Sequence, residues 1–120
     1  MHKLMIVDDS KLIRQRISRE YDSSTFNLVG TAKNGADAIS MFKKFQPDVI
    51  TMDLTMPELD GVECIEKLIA LDASTKILVI SALNDTSTGM EALEKGAMGF
   101  ITKPFNGAEL KVALSEIIDE

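Results

Sequence analysis

Five short runs of apolar residues alternate along the chain with longer segments in which apolar residues recur every three or four positions. The short runs predict buried β-strands, and the longer segments predict amphipathic α-helices. We therefore place the strands, in chain order, at residues 3–7, 26–32, 49–52, 76–80 and 98–102.

Capping and helix-breaking residues flank the predicted helices. They are Ser10 before the first helix, Pro47 after the second, Gly96 after the fourth and Asn106-Gly107 before the last. On the first helix, the spacing of Leu12, Ile13 and Ile17 predicts a shared core face. The segment 84–87 is predicted to be a loop.

Strands that alternate with helices favour an α/β domain built on a parallel sheet. Strands that are apolar nearly throughout are typical of sheets covered by helices on both faces. The chain has 120 residues and no visible linker or repeat, so we expect one domain over residues 1–120.

Charge and composition narrow the functional classes. The formal net charge of -6 argues against a surface for nucleic acid or for an anionic membrane. No apolar run is long enough for a signal peptide or a bilayer span, and the single cysteine, Cys64, cannot form an internal disulfide. We therefore expect a cytoplasmic protein with no nucleic-acid partner and no membrane insertion.

Polar side chains stand at the ends of four predicted strands. They are Asp8 and Asp9 after the first, Asp53 after the third, Ser81 after the fourth and Lys103 after the fifth. Taken singly, each is ordinary as a helix-start acid, a turn residue or a solvated lysine. Because sites in parallel α/β sheets form at the carboxyl ends of the strands, their shared position predicts one functional site.

The chemistry of such a cluster is specific. Close carboxylates repel one another and raise one another's pKa values, and a hard divalent cation with oxygen ligands relieves that repulsion. Mg²⁺ is the usual cation where water and phosphate complete the coordination. Lys103 and Ser81 remain to contact a further anion. The cluster therefore indicates a phosphoryl group held beside Mg²⁺, with a carboxylate oxygen as the nucleophile.

Five motifs carry a resemblance to a known family. They are Ile6-Val7-Asp8-Asp9-Ser10, Met52-Asp53-Leu54-Thr55-Met56-Pro57-Glu58-Leu59-Asp60-Gly61, Ser81-Ala82, Gly96-Ala97 and Lys103-Pro104-Phe105. With them, residues 3 to 118 resemble a response-regulator receiver domain, most closely the stand-alone chemotaxis (CheY-like) type. The resemblance implies a flavodoxin-like, doubly wound (βα)5 fold with strand order 2-1-3-4-5.

The resemblance also implies roles for the site residues. Asp53 would accept a phosphoryl group from the phosphohistidine of a sensor kinase. Asp9 and Asp53 would bind Mg²⁺ directly, Asp8 would bind it through water, and the main-chain carbonyl of Thr55 would complete the protein ligands. The remaining contacts to phosphate would come from Ser81 and Lys103, with the Lys103-Pro104 bond expected to be cis.

The same resemblance predicts a conformational switch and a set of partners. Ser81 would act with an aromatic residue on the fifth strand, here Phe100, where many chemotaxis members carry tyrosine. Phe100 could instead be an ordinary core residue. The expected partners are a sensor histidine kinase (CheA-like) and a downstream target such as the flagellar switch, bound through the fourth helix, fifth strand and fifth helix. The protein would catalyse only its own phosphorylation and dephosphorylation.

Other functions compete with this interpretation. The domain could belong to a longer regulator with a DNA-binding or methylesterase output. A haloacid-dehalogenase-type phosphatase also uses an Asp nucleophile and Mg²⁺, but it needs a second Asp two positions later, where this chain has Thr55. A flavin-binding module would need a loop rich in Gly, Ser and Thr after the first strand, where this chain has Asp8-Asp9.

Thr55 and Leu83 lie two positions beyond Asp53 and Ser81, where the resemblance places residues that line the path of the attacking water. Leu83 has no group that could orient water, so we expect slow self-dephosphorylation. Leu83→Glu or Leu83→Asn should change the rate at which phosphate is lost from the purified protein. An unchanged rate would contradict this role for Leu83.

Overall fold

The computed structural model describes residues 1–54, 61–82 and 86–118. Strands and helices alternate through these ranges. In chain order they are β1 (His2–Val7), α1 (Lys11–Glu20), β2 (Phe26–Ala32), α2 (Gly35–Phe45), β3 (Val49–Asp53), α3 (Gly61–Leu71), β4 (Lys76–Ala82), α4 (Thr86–Glu94), β5 (Gly99–Lys103) and α5 (Gly107–Ile118).

The strands form one parallel sheet in the order β2-β1-β3-β4-β5, which confirms the predicted flavodoxin-like topology. β1 pairs with both β2 and β3, and the chain then steps outward to β4 and β5. The order therefore reverses direction beside β1 and β3, and in open α/β sheets that is where ligands bind.

Two apolar cores lie on the two faces of the sheet. One combines strand residues such as Ile50 and Met52 with buried residues of α2, α3 and α4. The other combines residues such as Ile6 and Ile80 with α1 and α5. Because successive strand residues point to opposite faces, a sheet covered on both sides requires strands that are apolar throughout.

Side-chain hydrogen bonds cap the helices and fix the residues at which they begin, and this sets the course of the chain after each strand. The Ser10 hydroxyl accepts a hydrogen bond from the backbone N–H of Ile13 at 3.3 Å and caps α1 as predicted. Asn106 and Glu109 satisfy each other's backbone N–H groups at the start of α5, at 2.8 and 3.1 Å. Gly96, after α4, has a φ of +122°, a conformation that favours glycine.

Two local expectations were wrong. Leu12 does not share the core face of α1 and is 77% exposed, because one helical step of about 100° separates it from Ile13. Ser87 was predicted to lie in a loop but lies in α4, which begins at Thr86. β4 ends with Ser81 and Ala82, just as β3 ends with Asp53 and β5 with Lys103, so these polar residues lie at the strand ends as predicted.

None of the helices in the described ranges is long and apolar enough to cross a membrane.

Candidate functional site

The carboxyl ends of β1, β3, β4 and β5 bring the predicted site residues to one edge of the sheet. Asp53 is the last residue of β3 and Lys103 the last of β5, while Asp8 and Asp9 directly follow β1. Asp8, Asp53 and Ser81 are fully buried, whereas Asp9 is exposed. The strand order decides this meeting, because it places β1 beside β3 and β3 beside β4.

Lys103 links the two buried carboxylates. Its Nζ lies 3.3 Å from Oδ2 of Asp8 and 3.5 Å from Oδ1 of Asp53, and 28% of its side chain is exposed. The peptide bond from Lys103 to Pro104 is cis, as predicted. A buried carboxylate is costly unless it is paired, so this one ammonium group compensates charge on two strands.

Asp8 is held by three hydrogen bonds that fix its carboxylate and its backbone. Its Oδ1 accepts from the backbone N–H of Ser10 at 2.9 Å, and its own N–H donates to the carbonyl of Ala32 at 3.0 Å. Arg14 Nη1 of α1 donates to the Asp8 carbonyl at 2.7 Å. Such bonds fix the direction of the carboxylate before any ligand arrives.

Arg14 was not among the predicted site residues. The sequence places it on α1 among other arginines, and nothing in the local pattern separates it from a solvated helix residue. Only the packing of α1 beside the end of β1 brings its guanidinium to the Asp8 carbonyl. Arg14 is therefore a positioning residue of the site.

Burial raises the pKa of the Asp8 carboxyl group above its usual value. The backbone N–H of Ser10 and the charge of Lys103 act in the opposite direction, and the Asp9 carboxylate adds to the increase. The loss of hydration therefore outweighs the pairing. In the absence of a further cation, the cluster holds more negative charge than its surroundings stabilise.

The residues present fit a hard divalent cation. Asp8, Asp9 and Asp53 each offer a carboxylate oxygen, and these oxygens lie within 4.8 Å of one another. Oxygen ligands beside an open side are what Mg²⁺ takes, since it retains water and phosphate in its coordination. The buried Ser81 hydroxyl makes no hydrogen bond to any described residue, so a ligand oxygen would be its partner.

Two predicted site residues, Thr55 and Leu83, lie outside the described residues. Phe100 lies on β5, opposite Val79 of β4 and half-buried against the core that α2, α3 and α4 cover. Its ring approaches α4 at Gly89, where an added Cβ would lie 3.3 Å from ring atoms Cδ2 and Cε2. Phe100 is thus placed between β5 and α4.

Comparison with known families identifies the class of protein. Residues 4–115 match the family model described as the response regulator receiver domain, so the chain belongs to this family. It is a two-component signalling receiver, and the phosphatase and flavin-binding alternatives are set aside.

Within this family, the chain is similar to chemotaxis proteins. It is 38% identical to the chemotaxis protein CheY of Listeria monocytogenes over 116 residues, which are 97% of this chain and 98% of the relative. It is 35% identical to the CheY of Bacillus subtilis, with 98% of both chains covered.

Solved structures agree with this assignment. A chain of the CheX–CheY–BeF3–Mg complex from Borrelia burgdorferi matches with a TM-score of 0.91 and 30% identity, covering 98% of this chain and 89% of that one. The response regulator domain of Thermotoga maritima CheB matches with a TM-score of 0.88 and 32% identity, covering 100% and 98%. The second match shows that the same fold also occurs in a regulator other than CheY.

Asp8→Asn should stabilise the metal-free protein and remove its response to Mg²⁺. Asparagine keeps the acceptor for the Ser10 N–H but carries no buried charge, so we expect the free energy of unfolding to rise by about 1 kcal/mol, an ordinary single-residue effect. A cation held by the three carboxylates would stabilise the wild-type protein by mass action, and we expect this stabilisation by Mg²⁺ to be much smaller in the variant. Urea unfolding with EDTA and with Mg²⁺ measures both effects.

The sign of the pH dependence provides a further check. Because the folded-state pKa of Asp8 is raised, protonation stabilises the folded wild type, and this contribution is lost as the pH rises through that pKa. The advantage of Asp8→Asn should therefore be full at about pH 7 and smaller at about pH 4. Asp9→Asn is the matched comparison: it should also weaken the Mg²⁺ response, but it should stabilise the apo protein less than Asp8→Asn does, because Asp9 is exposed and makes the smallest contribution to the pKa of Asp8. A less stable Asp8→Asn variant would contradict the electrostatic argument.

Proposed function

We propose that Asp53 accepts a phosphoryl group from a sensor histidine kinase and that the modified domain changes its binding to a downstream protein. The observation that carries this proposal is the position of the Asp53 carboxylate. It is buried, 3.5 Å from the Lys103 ammonium, and within reach of a cation shared with Asp8 and Asp9. A nucleophile for phosphoryl transfer needs such charge compensation around it.

The transfer would proceed at a carboxylate oxygen of Asp53. This oxygen forms a bond to phosphorus while the phosphorus–nitrogen bond of the donor phosphohistidine breaks, and the imidazole leaves with its electron pair. Mg²⁺, when bound, supplies charge neutralisation for the phosphoryl oxygens. Asp8, Asp9 and Asp53 would hold it together with the main-chain carbonyl of Thr55.

Lys103 and Ser81 would receive the transferred group. As the charge of Asp53 passes to the phosphoryl oxygens, the Lys103 ammonium can follow it, since 28% of its side chain is exposed and the pairing with Asp53 is through one oxygen. The Ser81 hydroxyl, buried and without a hydrogen bond to described residues, can donate to a phosphoryl oxygen. Apart from this reaction and the later hydrolysis of the phosphorylated Asp53, in which water takes the phosphoryl group and releases the carboxylate, we propose no catalytic activity.

The relatives favour a stand-alone chemotaxis regulator. The CheY proteins from Listeria and Bacillus are matched over nearly their whole length. A putative transcriptional regulator of Pseudomonas aeruginosa is 36% identical, but this chain covers 57% of it, which represents the alternative of a receiver in a longer regulator. We therefore propose a CheA-like kinase as donor and the flagellar switch as a target, with Ser81 and Phe100 as the switch residues.

Phosphorylation at Asp53 is tested by intact-mass spectrometry after incubation with a small phosphodonor and Mg²⁺. We expect the mass of one phosphoryl group to be added to the wild type and to Asp48→Asn, a control that changes an exposed carboxylate elsewhere. We expect no addition in Asp53→Asn or when Mg²⁺ is omitted, because the nucleophile or the charge neutralisation is then missing. Equal labelling of Asp53→Asn would refute the assignment of the nucleophile.

The switch role of Phe100 predicts a rotamer change. When the Ser81 hydroxyl turns toward a phosphoryl oxygen, space opens beside β4, and the Phe100 ring is expected to move inward from its half-buried position against Gly89. Crystal structures with Mg²⁺ alone and with Mg²⁺ and beryllium fluoride compare the two states. One unchanged rotamer in both would show that Phe100 is an ordinary core residue.

A further inference from the structure

A groove between α2 and α3 lies on the helical face of the domain, away from the strand ends that carry the site. Its volume is about 350 Å³. The lining residues are Ile39 and Lys43 of α2 and Lys67, Ala70 and Leu71 of α3. Ile39 and Lys43 are four positions apart, and Lys67 is three and four positions before Ala70 and Leu71, so each helix contributes one continuous face.

The floor of this groove is apolar and partly open to solvent. Ile39 is half-buried and packs against the core beneath α2 and α3, whereas 48% of Leu71 is exposed. Ala70 is also exposed. The apolar surface of the groove is therefore continuous from the core to the exposed side chains of α3, and among the described residues no polar side chain covers its outer end.

Two lysines, one from each helix, stand on this apolar surface. Lys43 and Lys67 are both exposed, and neither forms an ion pair with any residue in the ranges 1–54, 61–82 and 86–118. Lys43 lies in the last turn of α2, where a cation is favourable to the helix dipole. The helix dipole does not account for Lys67, because this residue precedes the last turn of α3.

We propose that the α2–α3 groove binds an acidic amphipathic helix of a partner protein. Apolar side chains at helical spacing would pack on Ile39 and Leu71, and carboxylates beside them would pair with Lys43 and Lys67. The residues that line the groove carry two positive charges and no negative charge, opposite in sign to the net charge of -6 of the chain. An acidic partner is the one this local charge favours.

The same charges argue against a second copy of the chain as the occupant. In a twofold-symmetric contact, each patch faces its own equivalent. The lysines Lys43 and Lys67 would then be brought against each other across the interface with no carboxylate from the groove to compensate them. The proposal does not depend on phosphorylation at Asp53, and it can hold or fail independently.

The test is an NMR titration of the full ¹⁵N-labelled chain with a capped synthetic helix in which Leu and Glu repeat at helical spacing on an alanine background. We expect saturable shifts of backbone amides in α2 and α3, with affinity that weakens as salt is added. Lys43→Gln and Lys67→Gln should each weaken binding by about threefold, the range for an exposed ion pair. Lys44→Gln is the matched control, because Lys44 is the adjacent lysine and does not line the groove.

Four results of the peptide titration would overturn the proposal. They are shifts centred on α5 and β5, equal binding of a peptide with Gln in place of Glu, equal loss in Lys44→Gln, and no saturable shift at peptide concentrations of about 1 mM, where weak specific binding is still measurable. A rise in apparent mass of the chain alone, abolished by Leu71→Ser, would indicate self-association and would also overturn it. Circular dichroism of each variant confirms that the helices are intact.

Discussion

The shared ion pair of Lys103 with Asp8 and Asp53 is the interaction on which the geometry of this domain depends. Val7 pairs with Met52, so the carboxylates that follow them lie side by side at the ends of β1 and β3. Both are fully buried, and burial raises the pKa of Asp8 even with the lysine present. Removing the ammonium group would take away a charge partner that both buried carboxylates share, and loss of one partner from a buried ion pair costs several kcal/mol.

Bringing that ammonium group to the carboxylates requires the whole sheet. Lys103 ends β5, which is separated from β3 by β4. The lysine therefore reaches its partners only when β4 is in register with both neighbours and β5 ends at the right height. The two apolar cores hold this register from both faces, because slipping a strand by one residue would exchange its buried side chains between them. Packing of the cores and placement of the charges are thus one constraint.

The domain separates this charged edge from its helical faces. At this edge, the cluster with excess negative charge is suited to a cation and a phosphoryl group. Addition of these groups would change the partners of Lys103 and Ser81. These two residues lie on β4 and β5, and Phe100 connects β5 to α4 through Gly89. These contacts lie between the strand ends and the surface of α4, as the proposed switch requires. The groove between α2 and α3 lies elsewhere and has its own charge pattern.

Much of the fold and of the candidate site could be predicted from the sequence, because it depends on residue patterns within single strands and helices. The periodicity of apolar residues placed the strands, and for β2 both predicted ends were correct. Ser10 was recognisable as a helix cap. The positions of Asp53 and Lys103 at strand ends follow from where the apolar runs stop. Alternating strands and helices predicted a parallel α/β domain and left few arrangements, and the family resemblance implied the strand order among them. The tertiary structure alone decided that Lys103 pairs with two carboxylates and that Arg14 donates a hydrogen bond to the Asp8 carbonyl. It also decided that Leu12 is exposed and that Leu71 lines a groove. These facts depend on distances between residues of different elements, which are set by strand order, register and helix packing and not by any local pattern.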